Sequence, residues 1–496
     1  MILFRERNKK GELMKKMLRK TGIVVLCVVM LCAVLPVRSS AGFEIPGICQ
    51  VQTDAGTYGM VKTLDYAYEN NTYLSLRDMA MILRGTDKFF SLEIAKNTVS
   101  LNPGEVYAPV GVENTPWEES GNPDISLRRN ECKVSGQKVS YYTLIMELPS
   151  GYFDCFMMAA DLAMILDVDI TAPATDALQI RLQEPFLVSP EELERDGYFY
   201  GVNGVLVGDA STGEVYYGYQ ADEPYPIAST SKLMTCLLTL EAVSAGQISL
   251  DQQIVISEDA WQLAQSDDGV VPFEMGGLIT VRELLVGTLL PSSNECALCL
   301  AEAVAGSEEA FVQMMNEKAS ELGLSQAVFF NCNGLPVYTE GPVPSKRQNR
   351  MSAEDMFRLV SYLLKVYPQI TEITSLEKAG LESIDFEVRN TNPLLYNLSG
   401  VTGLKTGTTN KAGACLITSL TADDGVAEHD LVVIVLGAED SVERTRVSEL
   451  LARYALKTFE TGEKRPGAGT NALTQENLPV HAEAAVEWII RTARKR

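Results

Sequence analysis

The sequence predicts an α/β fold in which a small α+β repeat domain precedes a larger domain that has strands at both ends. Two strand-like stretches, VLVGD and EVYYGY, open the larger domain around a turn at residues 211–213. Helical segments fill its middle, and two further strand-like stretches, ACLITSLT and LVVIVLG, come before a last helix. We therefore expect one sheet that pairs the start of residues 199–460 with their end.

The region before it, residues 42–185, contains a tandem repeat. YLSLRDMAMIL (residues 73–83) returns as FMMAADLAMIL (residues 156–166), so Asp78 and Asp161 occupy equivalent positions. Each copy, around residues 60–102 and 140–182, predicts an extended stretch, a helix that begins near the aspartate, and a short strand. Copies of one unit usually pack on each other. We predict an α+β binding module, with a structural stalk as the alternative, joined by a linker at residues 186–198.

The N-terminus has the pattern of a secretory signal peptide. Six basic residues between Lys9 and Lys20 precede an apolar run from Ile23 to Leu35, and SSA follows at residues 39–41. The run is too short to cross a bilayer comfortably, and small residues before a cut site are typical of export signals. We expect residues 1–41 to direct export out of the cytoplasm; a short uncleaved anchor is the alternative.

The C-terminus, residues 461–496, predicts a tail. Its end, HAEAAVEWIIRTARKR, combines apolar positions with four basic residues. A helix of this kind can rest on an anionic membrane surface, so we expect peripheral membrane contact through the tail. A tail that is solvated or packed on a domain is the alternative.

The charge of the chain excludes one class of partner. The full chain has 42 basic and 65 acidic residues, a net charge of −23. Residues 1–41 hold nine of the basic and two of the acidic residues, so their removal leaves 33 and 63, near −30. Nucleic-acid binding needs basic patches, and we expect no nucleic-acid partner.

The cysteines and histidines indicate no metal site or cofactor. Ten cysteines are scattered, two of them in the predicted signal; a Cys49–Cys132 disulfide is conceivable after export, and the others fit small buried side chains. The two histidines are His429, in a predicted loop, and His481, in the tail. Neither is placed for a Ser-His-Asp triad or for a zinc site.

A cluster of hydroxyls and one lysine, PIASTSKLMT, lies at the start of an apolar helix. Ser229 and Lys232 are three residues apart, which places them on one helix face at about 5–6 Å between Cβ atoms, whereas Ser231 points about 100° away from Lys232. A lysine of lowered pKa can take a proton from serine. The spacing favours Ser229 as nucleophile and Lys232 as base, although it also occurs at residues 135–138 and 375–378.

Two further motifs follow in order within the same α/β segment. Ser292-Ser293-Asn294 stands before a helix, and Lys405-Thr406-Gly407 stands at the start of a strand. Each motif has chance matches elsewhere in the chain, but only this set is ordered and lies at element starts. The conjunction is a strong signal.

With this set, residues 200–460 resemble the low-molecular-mass penicillin-binding proteins, which are serine-type D-alanyl-D-alanine carboxypeptidases of the peptidase S11 family in the β-lactamase-like superfamily. The resemblance also includes VFFNCNGLP, similar to an F-x-N-x-x-G-L segment, and GLKTGTTNKAGACLI, similar to the active-site strand. It implies an antiparallel sheet flanked by helices, with a helical subdomain. The repeats resemble N-terminal accessory domains of copper amine oxidases, without copper ligands.

The resemblance implies a role for each motif residue. Ser229 would attack the carbonyl of the penultimate D-alanine, with Lys232 as base and Ser292 relaying a proton to the leaving D-alanine. Asn294 would hold the substrate amide and position Lys232. Lys405 would supply positive potential that helps to keep Lys232 neutral.

The resemblance also implies how substrate is held. Thr406 and Gly407 would line the cleft, and the N–H groups of Ser229 and Thr408 would form the oxyanion hole. Thr406 and Arg444 are the candidates for binding the terminal carboxylate; for Arg444 the alternative is a solvated helix residue.

The implied function is removal of the terminal D-alanine from peptidoglycan pentapeptide stems in cell-wall synthesis, remodelling and shape, with β-lactams as acylating inhibitors. A β-lactamase shares the motifs, but class A enzymes have a glutamate about 36 residues after the Ser-x-Asn serine, where this chain has SQAVFFNCNGLP. A non-catalytic wall-binding or sensor protein that uses the same cleft is the alternative from another class.

Overall fold

The structure is a computed structural model. It describes residues 47–66, 71–95, 98–114, 131–139, 141, 143–147, 151–171, 177–184, 186, 189–195, 198–338, 346–423 and 425–461. The predicted signal peptide and the predicted tail beyond Thr461 lie outside these residues. Within these ranges, no helix combines the length and the hydrophobicity that a bilayer crossing requires.

The elements follow the chain in two stretches. Up to residue 195 they are β1 (Gly47–Thr53), β2 (Tyr58–Tyr66), β3 (Asn71–Ser75), α1 (Leu76–Leu83), β4 (Phe90–Ala95), β5 (Thr98–Pro103), β6 (Glu131–Val134), β7 (Gln137–Val139), β8 (Thr143–Glu147), β9 (Phe153–Met158), α2 (Ala159–Leu166), β10 (Asp169–Thr171), β11 (Ala177–Arg181) and α3 (Pro190–Arg195).

From residue 204 onward they are β12 (Gly204–Asp209), β13 (Glu214–Tyr219), β14 (Tyr225–Pro226), a 3-10 turn (Ala228–Ser231), α4 (Lys232–Ser244), β15 (Gln253–Val255), α5 (Glu258–Ala264), β16 (Leu278–Thr280), α6 (Val281–Leu289), α7 (Asn294–Ala305), α8 (Glu308–Glu321), β17 (Val337–Tyr338), β18 (Lys346–Arg347), β19 (Arg350–Met351), α9 (Ala353–Val366), α10 (Ile370–Thr374), β20 (Lys378–Leu381), a second 3-10 turn (Glu382–Ile384), β21 (Phe386–Arg389), α11 (Leu394–Asn397), β22 (Val401–Thr409), β23 (Gly413–Asp423), β24 (Glu428–Ala438) and α12 (Ser441–Thr461).

The chain divides into two compact units. The first comprises the described parts of residues 1–130, 143–159 and 171–180, and the second those of residues 131–142, 160–170 and 181–496. Parts of the second repeat copy therefore belong to the same unit as residues 199–460. The predicted boundary at residues 186–198 stays a prediction, and the short helix α3 lies inside that segment.

The first unit contains a mostly antiparallel sheet with the strand order β11-β1-β2-β3-β9-β8, in which β1 and β11 are parallel. Both repeat copies have the order strand, helix, strand: β3, α1, β4 and then β9, α2, β10. Helix α1 begins after Ser75 because the Ser75 hydroxyl accepts the Asp78 N–H at 3.2 Å, which caps the helix.

The second unit is built on a five-stranded antiparallel sheet with the order β13-β12-β24-β23-β22. Strand β12 pairs with β24, so that Val205 lies opposite Val435. The prediction that the sheet joins the start of this segment to its end is confirmed. Strand β22, which carries the Lys-Thr-Gly motif, lies at one edge.

Helices cover both faces of this sheet. Along β24, Val432, Ile434 and Leu436 belong to the main core with helices α4 and α9, whereas the alternate Val433 and Val435 are buried outside that core. Helix α12 packs against β23 and β24. Helices α4, α6, α7 and α8 pack on one another. The predicted antiparallel sheet flanked by helices with a helical subdomain is confirmed.

Candidate active site

The predicted nucleophile lies in a tight turn. Ser229 belongs to the 3-10 turn, and the α-helix begins only at Lys232, so the expectation that both residues lie on one α-helix is wrong for Ser229. Local bonds explain the tighter geometry, because the Thr230 and Ser231 hydroxyls donate to the carbonyls of Ile227 (2.6 Å) and Ala228 (2.7 Å). Both hydroxyls are thus committed to the turn, and the Ser229 hydroxyl is directed towards Lys232.

Lys232 is fully buried and has three oxygen neighbours. Its Nζ lies 2.9 Å from Ser229 Oγ, 2.7 Å from Asn294 Oδ1 and 2.7 Å from the Asn333 carbonyl. Burial lowers the pKa of Lys232 to about 8. A neutral amine has two N–H donors and one lone pair; if the two carbonyl oxygens take the N–H groups, the lone pair points at the Ser229 hydroxyl.

Asn294 is held from both ends of its amide. It is the first residue of α7, which Ser293 caps by accepting the Cys296 N–H at 3.0 Å. The Asn294 Nδ2 donates to the Asp268 carbonyl at 2.9 Å, which leaves Oδ1 for Lys232. Ser292 has a positive φ of 68°, and its hydroxyl makes no hydrogen bond to a residue in the described ranges. The structure thus brings Ser229, Lys232 and Asn294 together, but does not bond Ser292 to them.

The Lys-Thr-Gly strand places a second buried lysine in the site. Lys405 is 1% exposed and donates to the Thr406 carbonyl at 3.0 Å. Its pKa lies well below the usual value, first because of burial and then because of the charge of Lys232. For Lys232 itself, burial is the main cause of the lowered pKa. The Thr406 hydroxyl is 2.5 Å from the Thr391 hydroxyl.

Two glycines allow the backbone to close around Ser229. A Cβ on Gly407 would lie 2.9 Å from the Ser229 nitrogen and 3.1 Å from the Ile227 carbonyl oxygen. A Cβ on Gly334, whose φ is +89°, would lie 2.0 Å from the Ala228 carbonyl oxygen and 2.9 Å from the Ser229 nitrogen. Only glycine permits such approaches. The Ser229 N–H therefore lies between β22 and the segment around Gly334, and Thr408 next to Gly407 is exposed.

Arg444 is buried rather than solvated. It lies on α12 with 6% exposure, and its Nε has no hydrogen-bond partner in the described part of the chain. Its charge also lowers the pKa of Lys405. A buried guanidinium whose Nε–H lacks a partner suits a carboxylate ligand.

The sequence did not predict some contacts of the site. The Asn333 carbonyl, which contacts Lys232, is a backbone group and has no sequence motif of its own, although the glycine after it, in NCNG, indicates an unusual backbone conformation. His429 lies in β24 rather than in a loop, and its Nδ1 is 2.8 Å from Asp209 Oδ2. The cysteines within the described ranges form no disulfide with one another, so the Cys49–Cys132 bridge is not formed.

Residues 202–440 match the peptidase S11 family, described as D-alanyl-D-alanine carboxypeptidase. The chain is 34% identical over 262 residues to the D-alanyl-D-alanine carboxypeptidase DacF of Bacillus subtilis, covering 52% of this chain and 63% of that protein. It is 32% identical over 260 residues to DacC of Escherichia coli, covering 52% of this chain and 61% of that protein. The chain thus spans just over three fifths of the length of these curated relatives.

Solved structures show the same likeness. A peptidoglycan synthesis regulatory factor, PBP3 of Streptococcus pneumoniae, is 32% identical, with 51% of this chain and 71% of that chain covered and a TM-score of 0.48. Penicillin-binding protein D2 of Listeria monocytogenes, solved with ampicillin bound, is 31% identical, with 51% of this chain and 97% of that chain covered and a TM-score of 0.44.

Proposed function

Because residues 202–440 match the D-alanyl-D-alanine carboxypeptidase family, we propose that this chain removes the terminal D-alanine from peptidoglycan pentapeptide stems through an acyl-enzyme on Ser229. The observation that carries the proposal is the contact of Ser229 with a buried lysine. Lys232 Nζ lies 2.9 Å from Ser229 Oγ, and its pKa is lowered to about 8. This lysine can act as the base that a histidine provides in other serine hydrolases.

In the acylation step, Ser229 Oγ attacks the carbonyl carbon of the penultimate D-alanine while its proton passes to Lys232 Nζ. The N–H groups of Ser229 and Thr408 donate hydrogen bonds to the developing oxyanion. The C–N bond then breaks, and the proton moves from Lys232 through Ser292 to the amine of the leaving D-alanine. In the second step water attacks the ester carbonyl, gives a proton to Lys232, and Ser229 is released with that proton.

The substrate lies along β22. The missing side chain at Gly407 lets this strand lie directly against the turn that carries Ser229, so substrate on β22 would be next to the nucleophile. The terminal carboxylate is held by Thr406 and Arg444 near Lys405, and the unpartnered Nε of Arg444 supports this assignment. Asn294 holds the substrate amide and keeps Lys232 in place.

Slow deacylation of β-lactam adducts separates this function from that of a β-lactamase. Residues 325–336 contain no acidic side chain. Glu308, which reaches this segment, already accepts the Cys332 N–H and thiol, each at 3.0 Å. We expect a penicillin to remain on Ser229, and rapid turnover of nitrocefin would contradict the assignment.

The test is release of D-alanine from a pentapeptide, together with fluorescent-penicillin labelling mapped by mass spectrometry. Ser229→Ala should abolish both release and labelling. Ser375→Ala is the matched control, because Ser375 has the same spacing to a lysine but is exposed. Equal release by wild type and Ser229→Ala would exclude Ser229 as nucleophile, and no release by either would favour a binding protein.

The proposed location is outside the cytoplasm, at the cell wall or the outer face of the membrane. The apolar run and the SSA pattern within residues 1–41 support export, and the basic end of residues 461–496 supports peripheral membrane contact. Truncation after Thr461 should then move the protein out of the membrane fraction. The repeats are proposed to act as a binding module.

A further inference from the structure

A short basic segment, Lys346–Arg347 (β18), is attached to both walls of the cleft around Ser229. On one side, Gln348 Nε2 donates to Thr409 Oγ1 at 3.1 Å, at the end of the Lys-Thr-Gly strand. On the other side, Asn349 Oδ1 accepts the Phe330 N–H at 2.7 Å, three residues before Asn333. These bonds place the basic segment beside the site.

Aromatic rings support the two cations of this segment. Lys346 Nζ lies 6.0 Å from the centroid of the Tyr338 ring, and Arg347 Cζ lies 5.6 Å from that of Phe330. Neither forms an ion pair with a carboxylate in the described ranges, and Arg347 is exposed. Lys378, an exposed cation elsewhere in the same unit, is by contrast paired with Glu387 at 2.9 Å. The cations of β18 thus keep their donors for a ligand.

The loop that contacts Asn294 has the opposite charge to β18. Asp267 and Asp268 are exposed on the loop whose Asp268 carbonyl accepts the Asn294 amide. The chain as a whole carries a net charge of −23. An anionic group that enters the cleft is therefore repelled from the Asp267–Asp268 loop and attracted to β18.

We propose that Lys346 and Arg347 bind a carboxylate on the acyl side of the peptide stem, upstream of the bond that is cut. The inference rests on the proposed function and deepens it to substrate class: stems with an anionic side chain or backbone carboxylate are preferred over neutral stems. It concerns a second carboxylate, since the terminal one is assigned to Thr406 and Arg444. An arginine with free N–H donors can bind a carboxylate through two parallel hydrogen bonds.

The test compares two peptides that differ in one charge: diacetyl-L-Lys-D-Ala-D-Ala, and the same peptide with a succinyl group in place of the acetyl on the lysine Nε. We expect wild type to have a kcat/KM about twofold to fivefold higher for the succinyl peptide, in the range of exposed ion pairs. The preference should fall with added salt. In the double variant Lys346→Met/Arg347→Met the two peptides should become equal, with the rate for the neutral peptide unchanged.

The control variant is Lys365→Met. Lys365 is exposed and lies about 18 Å along α9 from Ala353, the first residue of that helix. This variant should keep the preference for the succinyl peptide. The acylation rate with a fluorescent penicillin checks that each variant retains a folded site. If wild type hydrolyses neither peptide, the proposed function itself fails. If wild type hydrolyses both equally, if the double variant keeps the preference, or if it loses the neutral peptide as well, the function stands and this inference is overturned.

Discussion

The lowered pKa of Lys232 sets the pH dependence that we expect for acylation. Burial moves this pKa from 10.5 to about 8, a difference of about 3 kcal/mol between the two protonation states. At pH 7 about one Lys232 in ten is then neutral, compared with about one in three thousand for an ordinary lysine. The buried position therefore supplies about 300-fold more of the free base.

The second-order rate of acylation by a fluorescent penicillin should follow the neutral fraction of Lys232. We expect about a tenfold rise per pH unit below pH 8 and a plateau above it. The carboxylate of the penicillin is ionised throughout this range, so the profile reports the enzyme. Stopped-flow fluorescence between pH 6 and pH 10.5 measures it.

Asn294→Asp is the decisive perturbation. It places a carboxylate where Asn294 Oδ1 now lies, 2.7 Å from Lys232 Nζ. At an effective dielectric constant of about 20, an opposite charge at this distance attracts the ammonium by about 4–6 kcal/mol. Burial of the new carboxylate offsets part of this, and we expect the pKa of Lys232 to rise by about 2–3 units. The rising limb should move to pH 10 or above, with a loss of about 100-fold in rate at pH 7.

Asn102→Asp, in the first unit, is the matched control and should keep the wild-type profile. The reasoning is refuted if the wild-type rate is flat between pH 6 and pH 9. It is equally refuted if Asn294→Asp remains active with its limb still at pH 8, since Lys232 would then not be the group that titrates.

Three further predictions concern the backbone contact at Gly407, the buried charge of Asp161, and the segment that holds Lys232. Gly407→Ala should slow acylation by about 100-fold, because its Cβ meets the Ser229 nitrogen at 2.9 Å and small misplacements at the reacting atoms are costly. Asp161→Asn should stabilise the protein by about 2–4 kcal/mol at pH 8.5 and little at pH 4, because burial raises the pKa of Asp161 to about 7. Glu308→Ala should slow acylation by about tenfold, because Cys332 loses its acceptor.

Each has a control. Gly380→Ala should leave penicillin labelling unchanged, since a Cβ there meets nothing within 4 Å; equal loss in both glycine variants would contradict the contact argument. For Asp161, the stabilising contribution of the protonated form is fully present below the unfolded pKa and is lost as pH rises through about 7. Urea unfolding of Asp161→Asn and of the exposed Asp251→Asn tests this, and a gain that is equal at both pH values would contradict it. Glu308→Gln keeps an acceptor oxygen and should retain the wild-type rate.

The side chains of the site were largely predictable, because the motifs fix them by local geometry. Three-residue spacing and a helix start bring Ser229, Lys232 and Asn294 together whether the first turn is 3-10 or α. The second carbonyl that receives Lys232, that of Asn333, was not predictable, since every residue has a carbonyl and only the tertiary fold selects one. The positive φ of Ser292 likewise has no sequence signal, because non-glycine residues rarely adopt it.

The sheet of the second unit was predictable for a similar reason. Strand-like stretches at both ends of one segment, with helices between them, leave few ways to form a sheet other than pairing β12 with β24. The division into units was less predictable. A repeat indicates that its copies share an architecture, but it does not indicate which other part of the chain packs against each copy. Residues 131–142 and 160–170 belong to the second unit, which the repeat did not predict.

The two equivalent aspartates show the same limit at the level of single charges. Asp78 has three donors: the ammonium and the N–H of Lys62, each at 2.8 Å, and the Asn114 N–H at 2.7 Å. Asp161 is as deeply buried, but neither of its oxygens has a hydrogen-bond partner in the described chain. Arg446 of α12 lies 4.0 Å from Asp161 and is already bound to Glu443. A buried carboxylate without donors is unfavourable, so the equivalent aspartates of the two copies differ in the energy of their charged form. The repeated sequence therefore predicts the helix that carries each aspartate, and the surrounding unit decides the energy of its charge.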